Sequence, residues 1–397
     1  MSKRLLYATV LGLLLNACQK EGLLTQNENI LPEVVLAENE NESDTETLIG
    51  DSAKNWIYNM QRPSGLMESS ENSNFVSLYD NALAAIFFIS EGKRENAEQI
   101  LDFFNDNMQT ELLSGTGGFY QFRNIKGENG NRVWLGDNAW LLIALNHYHE
   151  YYSSNKYDEL TDHLNIWIRS LQEENGALKG GYNEDGSAIP KVTEGIITAY
   201  NAIKGFDDFH QKILQFIETE RWDAENHIFL AWPENPKHAY ALDLHSLGSA
   251  IFPELSHNLL EETNRFLNNQ TFTLNGENIS GYCFDEDKDV VWLEGTAQMA
   301  LAFQSNNRLD TSNTILTNLE KTFIQSSSYN NSKGIPYTTN QGTSYGEGLL
   351  WDHADITPTL SSTIWYLFAK KNFDPLSLNH QKAIPAQNKF WVENTIN

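Results

Sequence analysis

The chain has 397 residues, of which 40% are apolar and 12% aromatic, and it carries a formal net charge of −26 at pH 7. That length suits one large domain or two ordinary ones, and the apolar fraction is sufficient for a buried core. A charge this negative repels phosphate backbones and other anionic polymers. It therefore argues against a nucleic-acid partner and leaves neutral ligands open.

The first residues have the pattern of an export signal. Lys3 and Arg4 precede an apolar run over residues 5–15, which has the length of a signal-peptide core and is too short to span a bilayer. The run ends in LNAC at residues 15–18. This ending resembles the bacterial lipobox, in which a small residue precedes a cysteine that is lipidated and retained, here Cys18.

That resemblance implies an anchored protein of the cell envelope. Residues 1–17 would be the lipoprotein signal peptide, Cys18 would carry the acyl chains, palmitate among them, and the polar residues 18–45 would form a flexible tether. Residues 19–22 (QKEG) resemble the short signal of surface-exposed outer-membrane lipoproteins of Bacteroidota. We therefore expect membrane contact through the lipid anchor only. Cys283 is then left without a partner, so no disulfide framework is expected.

From residue 46 onward, two kinds of helical stretch alternate. One kind is apolar on most faces, as expected of buried helices, and the other is amphipathic. The apolar stretches are 77–92, 136–152, 193–206, 240–252, 292–304 and 358–370. The amphipathic stretches are 46–62, 93–110, 156–173, 206–220, 255–269 and 311–327. The pattern predicts six inner and six outer helices.

Acidic residues open most of the apolar stretches at intervals of about 50 residues, which is typical of a repeat architecture. Six helical hairpins closed in a ring would bury all six apolar helices. An open solenoid is the competing arrangement, but it needs polar capping repeats that the sequence lacks. We therefore predict an all-α (α/α)6 toroid over residues 46–375, followed by a C-terminal tail over 376–397.

The loops that precede the inner helices are longer than those that follow them, so a site is expected at the rim where the inner helices begin. Three openings there, WLGDNAW at 134–140, TEG at 193–195 and WLEGT at 292–296, together with the alternation, resemble the six-hairpin glycosidase superfamily. The resemblance implies a cleft at one end of the toroid, lined by carboxylates and aromatic rings, that binds a sugar chain. It does not assign a catalytic residue.

Glycoside hydrolysis generally uses two carboxyl groups, one protonated and one ionised. The rim offers Asp80, Asp137, Glu194, Asp243 and Glu294 as candidate catalytic residues. Asp137 and Glu294 have tryptophan neighbours in sequence, which favours a raised pKa and the role of acid. Glu194 follows Thr193 without aromatic neighbours, so the role of base suits it better.

A structural role for these acids is the alternative. Aspartate and glutamate in the first turn of a helix are ordinary capping residues, and Ser77 followed by Asp80 has the spacing of a capping box. Thr193 could cap its helix while Glu194 only complements the helix dipole, and Asp137 could be a plain cap after Gly136.

Aromatic side chains of the rim are the candidates for stacking on sugar rings. The substrate-binding candidates are Tyr79, Tyr120, Trp134, Asn138, Tyr182, Tyr240, Trp292, Tyr337 and Trp351. Trp140, Trp365 and Phe87 are interpreted as core residues.

No cofactor or metal is expected. Asp285, Asp287 and Asp289 alternate as in a calcium loop, but Val290 stands where that loop has glycine, and Thr296 stands where it has glutamate. A solvated loop is the simpler interpretation. The sequence has no phosphate-binding loop, dinucleotide glycine motif or zinc spacing.

Two functions from different classes follow. The first is a glycoside hydrolase that cuts a neutral oligo- or polysaccharide. The second is a non-catalytic glycan-binding lipoprotein that works with uptake proteins. A polysaccharide lyase is a weaker third possibility, because lyases act on uronates and need basic groups at the cleft.

Overall fold

The computed structural model describes residues 42–235, 238–341, 344–345, 348–349, 353–378 and 382–392. The signal peptide, Cys18 and Trp351 lie outside these residues. Within them, twelve α-helices form six hairpins in which the odd-numbered helices are outer and the even-numbered helices inner. They are α1 (Glu42–Met60), α2 (Leu78–Ser90), α3 (Arg94–Asp106), α4 (Leu135–Tyr152), α5 (Asp158–Ser170), α6 (Thr193–Ala202), α7 (Asp208–Phe216), α8 (Asp243–Ile251), α9 (Ser256–Glu261), α10 (Leu293–Ser305), α11 (Leu309–Glu320) and α12 (Leu360–Lys371).

Burial separates the two kinds of helix as the sequence pattern predicts. In the inner helix α10, every residue from Leu293 to Phe303 is buried. In the outer helix α3, burial is confined to Ala97, Ile100, Leu101 and Phe104, a spacing of three and four residues that places them on one face. The core therefore lies inside the ring and between the two layers.

One backbone hydrogen bond recurs at the start of every inner helix and closes the ring. In each case, the amide at the helix start donates to a carbonyl in the loop that precedes the next inner helix. The six bonds are Leu78 N to Gln121 O, Leu135 N to Gly180 O, Thr193 N to Ala231 O, Leu242 N to Phe284 O, Leu293 N to Tyr337 O and Leu360 N to Ser69 O, at 2.8–3.1 Å. The last bond joins the final inner helix to the first loop, so the hairpins form a closed toroid and not an open solenoid.

Short antiparallel strands support the same rim. The strands are β1 (Val76–Ser77), β2 (Phe122–Arg123), β3 (Val133–Trp134), β4 (Gly181–Tyr182), β5 (Trp222–Asp223), β6 (Ile228–Phe229), β7 (Leu267–Thr271), β8 (Asn278–Tyr282), β9 (Ile324–Gln325), β10 (Lys333–Gly334), β11 (Ser344–Tyr345) and β12 (Gly348–Leu349). They pair as β1–β2, β3–β4, β5–β6, β7–β8, β9–β10 and β11–β12. β1–β2 and β3–β4 each join one rim loop to the next.

The outer helix predicted over 255–269 is much shorter in the structure. It consists of α9 between two 3-10 turns, Pro253–Leu255 and Glu262–Phe266, and the chain then enters strand β7. Five consecutive residues of β7 pair with β8. Pairing with β8 therefore overrides the helical pattern here.

The chain after α12 lies against other hairpins of the toroid. His147 on α4 contacts the carbonyl of Pro375 at 2.7 Å. Further along, the Trp391 ring packs edge-on against Phe252 at 5.6 Å, and its indole N–H donates to Glu254. Described residues beyond 375 are thus tied to the folded domain.

Among the residues that the structure describes, no helix has the length and apolarity needed to cross a membrane.

Candidate active site

The repeated rim contact places one residue of each hairpin at an equivalent point. The next residue after the donor is Tyr79, Gly136, Glu194, Asp243, Glu294 and Ser361 in turn around the ring. In the first two hairpins the acid comes one residue later, as Asp80 and Asp137. We call Asp80, Asp137, Glu194, Asp243 and Glu294 the carboxylate ring.

The five carboxyl groups interact electrostatically in a closed circuit. The charge of Glu194 acts on both Asp137 and Asp243, and that of Glu294 also acts on Asp243. Asp137 acts on Asp80, and Asp80 acts on Glu294. All five candidate catalytic residues are therefore brought together at one end of the toroid.

Exposure divides the ring into two groups. Asp80, Asp137 and Glu294 are 6%, 7% and 3% exposed, whereas Glu194 and Asp243 are only half-buried. Glu194 and Asp243 open the adjacent inner helices α6 and α8. They are thus the two most exposed acids of the ring.

Burial raises the pKa of every member, because a carboxylate loses hydration inside the protein. The pKa rises to about 7 for Asp80 and Asp137 and to about 8 for Asp243 and Glu294. For Asp243, the charges of Glu194 and Glu294 add to the effect of burial. The pKa of Glu194 is also raised by burial, but hydrogen bonds to its anion oppose the rise.

Those opposing hydrogen bonds hold Glu194 in place. Thr198 Oγ1, one turn further along α6, donates to Glu194 Oε1 at 2.9 Å, and the Trp140 side chain donates from α4. Glu194 Oε2 lies against Gly136, where a Cβ would come within 2.8 Å of it. The carboxylate therefore occupies the space that the missing side chain of Gly136 leaves.

Asp243 is held less tightly. Its Oδ1 is buried without a hydrogen-bond partner, and the residue stands in the first turn of α8. A neutral carboxyl group that has one oxygen without a hydrogen-bond partner can give up its proton to a ligand. It is better suited to this than a carboxyl group that accepts hydrogen bonds from several protein donors.

Asp137 is linked to a cation through an amide. Arg132 Nε donates to Gln121 Oε1 at 2.5 Å, and Gln121 Nε2 donates to Asp137 Oδ1 at 3.3 Å. The positive charge of Arg132 lowers the pKa of Asp137 and so opposes the effect of burial. Asp137 Oδ2 is buried without a hydrogen-bond partner.

Two of the predicted stacking residues lie directly beside the ring. The Tyr79 hydroxyl donates to Glu294 Oε1 at 2.6 Å. Burial raises the pKa of Tyr337 well above its usual value, and the charges of Glu294, Asp80 and Asp243 add to the rise, so its phenol lies near all three.

Other predicted stacking residues line the rim further out. The Trp292 ring packs against Tyr337 at 6.1 Å between ring centres. The Arg132 guanidinium lies 5.0 Å from the centre of the Trp134 ring, and Tyr182 pairs with Val133 in the β3–β4 ladder.

Tyr120, Tyr240 and Asn138 have other surroundings. Tyr120 is 37% exposed. The Tyr240 hydroxyl donates to Asp223 Oδ2 at 2.7 Å, which ties it to the β5–β6 hairpin and not to the ring. Asn138 is completely buried, so its amide faces no cleft.

The Asn138 side chain accepts from Phe119 N at 2.8 Å and donates to Phe119 O and Trp134 O. These bonds occupy its amide, so Asn138 clamps a rim loop to the start of α4. The residue is therefore unavailable to a sugar.

The acidic loop at 285–289 is held by its own backbone. Asp287 N and Asp289 N donate to the carboxylates two residues earlier. Burial and the neighbouring Asp287 raise the pKa of Asp285 to about 8. Among the described positions, no group of three or more histidine, cysteine or acidic residues has a metal-binding arrangement.

Several residues of the site were not predicted from the sequence. Ser361 occupies the sixth equivalent position, which the regular register could have revealed. Gln121 and Gln298 support Asp137 and Glu294, and no sequence pattern marks either of them. Trp232 is half-buried and stacks on His238 at 6.2 Å between ring centres, next to Ala231, whose carbonyl binds Thr193. This places a flat aromatic side chain beside the start of α6.

A small cavity lies between the inner helices α8, α10 and α12. Its volume is about 20 Å³, which is room for roughly one water molecule, and its lining includes Ser246, Gln298, Trp365 and Asp374. This cavity is too small for a sugar, so the rim above it is the better candidate for ligand binding.

No protein-family model matches the sequence, and no curated protein matches it either. Solved structures do match the fold. A wild-type glycosidase aligns at a TM-score of 0.59 with 10% identity over 84% of this chain and 99% of its own. A novel α-amylase from Clostridium perfringens aligns at a TM-score of 0.57 with 12% identity, over 82% of this chain and 97% of its own.

A cellobiose 2-epimerase from Spirochaeta thermophila gives a TM-score of 0.58 with 13% identity, over 84% of this chain and 96% of its own. A related structure of the glycosidase is a complex with glucose. At these identities the likeness concerns the fold alone. The chain therefore has the (α/α)6-toroid fold that these glycosidases and sugar epimerases share.

Proposed function

We propose that the protein is a glycoside hydrolase that acts on a neutral oligo- or polysaccharide. The observation that carries this proposal is the pair formed by Glu194 and Asp243. They are the two half-buried members of a ring of five interacting carboxyl groups, and their surroundings differ.

The different surroundings of Glu194 and Asp243 decide which of them is the ionised partner and which is the acid. Glu194 accepts hydrogen bonds from Thr198 and Trp140, which favour its anion, so it is the ionised partner. Asp243 has an unmatched oxygen and a pKa of about 8, so it is protonated at neutral pH and serves as the acid. This proposal differs from the sequence-based preference for Asp137 and Glu294 as the acid, and the lower exposure of those two residues supports it.

In the proposed reaction, Asp243 donates a proton to the glycosidic oxygen as the bond from that oxygen to the anomeric carbon breaks. Glu194 supplies the negative charge on the other side, either by taking a proton from the attacking water or by attacking the anomeric carbon itself. The anomeric configuration of the first product distinguishes these two routes.

Charge and ring stacking support a neutral substrate. Glu194 is ionised in this scheme and Arg132 is the cation that acts on Asp137, so a uronate would meet repulsion from Glu194. Trp134 and Trp232 are half-buried at the rim and offer flat surfaces for sugar rings, whereas Trp292 is buried. This arrangement also disfavours a lyase, which needs cations at the cleft.

We further propose that the protein works at the cell envelope as an outer-membrane lipoprotein anchored through Cys18. The support is the lipobox-like ending of the N-terminal apolar run. In that position the enzyme would meet glycans near the proteins that import them. Loss of labelled palmitate on Cys18→Ser is the direct test.

The test of the enzyme is the release of reducing ends from a panel of neutral and acidic polysaccharides. We expect release from a neutral glycan, and Glu194→Gln and Asp243→Asn should each lower kcat by about 10²-fold or more. Glu225→Gln and Asp106→Asn change exposed acids and serve as matched controls.

Three other outcomes would contradict the proposal. Glycan-dependent thermal stabilisation without cleavage would favour the binding lipoprotein. Conversion of a reducing disaccharide into its epimer without cleavage would favour the epimerase activity of some structural neighbours. Cleavage that both substitutions leave intact would remove these residues from the mechanism.

A further inference from the structure

Three aromatic side chains of the rim lie outside the apolar core. Phe75, Phe122 and Trp134 are half-buried, and they belong neither to the core cluster nor to the half-buried side chains that pack against it. Phe75 stands in the loop before α2, and Phe122 and Trp134 stand in the loop before α4. Core packing therefore does not explain why these three positions are aromatic.

The three rings and one cation form a continuous row. The centres of the Phe75 and Phe122 rings are 4.7 Å apart. The Arg132 guanidinium lies 5.5 Å from the centre of the Phe122 ring and 5.0 Å from that of the Trp134 ring. We call Phe75, Phe122, Arg132 and Trp134 the aromatic strip. Each step along it is comparable with the length of one sugar unit in a glycan chain.

Backbone pairing holds the aromatic strip in shape. Phe122 pairs with Ser77 in the β1–β2 ladder, and Trp134 pairs with Gly181 in the β3–β4 ladder. Both rings therefore stand on backbone that is already ordered by neighbouring rim loops. A surface of this kind loses little conformational freedom when a ligand binds to it.

One end of the aromatic strip lies beside the proposed ionised carboxylate. A Cβ added to Gly136 would lie 3.4 Å from both Cδ1 and Nε1 of Trp134 and 2.8 Å from Glu194 Oε2. The Trp134 indole and the Glu194 carboxylate thus border the same small space. The strip belongs to the first two hairpins, Glu194 to the third and Asp243 to the fourth. In this order around the toroid, Glu194 stands between the strip and Asp243.

We infer that the aromatic strip binds further sugar units of a glycan chain whose reacting bond lies between Glu194 and Asp243. The position of that bond rests on the proposed hydrolase. Pyranose rings present C–H faces to aromatic rings, and their hydroxyl groups can accept hydrogen bonds from a guanidinium. The strip offers both kinds of contact and continues into the candidate active site, so a glycan chain fits it better than a peptide does.

The order of these groups also gives the direction of the chain. In the proposed reaction, Glu194 acts at the anomeric carbon and Asp243 at the oxygen that leaves. The sugar units on the side of the anomeric carbon then extend from Glu194 towards the strip, and they form the non-reducing part of the substrate. Contacts with these remote units can support catalysis at the reacting bond, so chains longer than a disaccharide should be preferred.

Calorimetric titration of the full-length Glu194→Gln protein tests binding without turnover. The probes are cello-, malto-, laminari-, manno- and xylo-oligosaccharides of two to six units. We expect at least one series to bind with an affinity that rises with chain length. Phe122→Leu, added to this protein, keeps an apolar side chain but has no flat face, so it should weaken binding of the hexasaccharide by about tenfold and leave the disaccharide unchanged.

Two further variants separate stacking from an effect on the fold. Phe122→Tyr retains the flat face and should retain the affinity for the hexasaccharide. Tyr151→Leu removes a ring that is 59% exposed at the far end of α4, and it should change neither affinity. Phe75→Leu gives an independent test at the outer end of the strip and should also weaken hexasaccharide binding.

Three results would overturn the inference, and none of them depends on cleavage. They are failure of all five series to bind, equal affinity for the disaccharide and the hexasaccharide, and hexasaccharide binding that both leucine variants of the strip leave intact. Chain-length-dependent binding that these variants weaken, in a parent that cleaves no glycan, would support the strip and contradict only the proposed hydrolase.

Where the parent cleaves a glycan, a hexasaccharide labelled at its reducing end tests the direction. Because the strip would hold the non-reducing part, the parent should release short labelled products, and Phe122→Leu should lose this preference. Long labelled products from the parent would place most of the chain on the Asp243 side and overturn the assigned direction.

Discussion

Gly136 stands at the equivalent rim position where other hairpins have Tyr79, Glu194 or Asp243. Its missing side chain makes room for Glu194 Oε2, which would lie 2.8 Å from a Cβ added there. The backbone of Gly136 is in the ordinary negative-φ region. Space, and not conformational freedom, therefore explains why this position has no side chain.

Gly136→Ala should displace the Glu194 carboxylate without unfolding the protein. We expect kcat on a cleaved glycan to fall by about 10–10²-fold, because small misplacements of a reacting group are costly in rate. Gly50→Ala is the matched control, since a Cβ at Gly50 on α1 meets no atom within 4 Å. Unchanged kcat in Gly136→Ala would show that Glu194 does not need this space.

At the scale of single residues, the sequence reveals the five acids of the ring but not the side chains that donate hydrogen bonds to them. Five acidic residues at the starts of apolar helices can be found by inspection. The groups that set their protonation cannot, because Trp140 and Trp365 lie in apolar stretches and have the pattern of core residues. Both are indeed buried, yet the Trp140 side chain donates to Glu194, and the Trp365 indole N–H donates to Tyr79.

Four of the six rim loops are each fastened to the inner helix that follows by a polar side chain in the first turn of that helix. Asn81 binds Met67 N, Asn138 binds Phe119 N, Thr296 binds Tyr282 N and Thr363 binds Ile335 N. The same device thus recurs in four hairpins. It lets long polar loops lie on a buried helix without unpaired amides.

Asn138→Ala should destabilise the fold and leave the chemistry of the ring in place. Loss of the amide leaves buried backbone groups of Phe119 without partners, which costs about 1–3 kcal/mol of unfolding free energy. Urea unfolding measures this loss, with the exposed Asn155→Ala as the control, expected to change stability by no more than about 0.5 kcal/mol. A stable variant with weakened glycan binding would instead support the original interpretation of Asn138 as a substrate-binding residue.

The alternation of helices could be predicted because inner and outer helices differ in apolar pattern along their whole length. The β7–β8 hairpin could not, because Asn268, Asn269 and Gln270 have no strand-like alternation and depend on residues 278–282 for pairing. The contacts of the last described residues could not be predicted from the sequence either. Trp391 belongs to a mostly polar segment, and only its packing on Phe252 shows that it is part of the fold.

At the scale of the whole molecule, the carboxylate ring makes folding depend on pH. The pKa of Asp80 and Asp137 is about 7 in the folded protein, and that of Asp243 and Glu294 is about 8, against ordinary values of 3.8 for aspartate and 4.5 for glutamate. Between these limits the folded state binds more protons than the unfolded state. The contribution of these four groups to stability is therefore greatest near the ordinary values and falls as pH rises towards 8.

We expect the urea midpoint to be higher near pH 5 than near pH 8. Each group contributes a slope of about 1.4 kcal/mol per pH unit across its own window. The double variant Asp243→Asn with Glu294→Gln removes two of these titrations and should flatten the profile, whereas the exposed Asp106→Asn should not. The net charge of −26 adds self-repulsion in the same direction, but salt screens that contribution. A pH dependence that disappears in high salt, or that persists unchanged in the double variant, would mean that surface charge and not the buried ring controls stability.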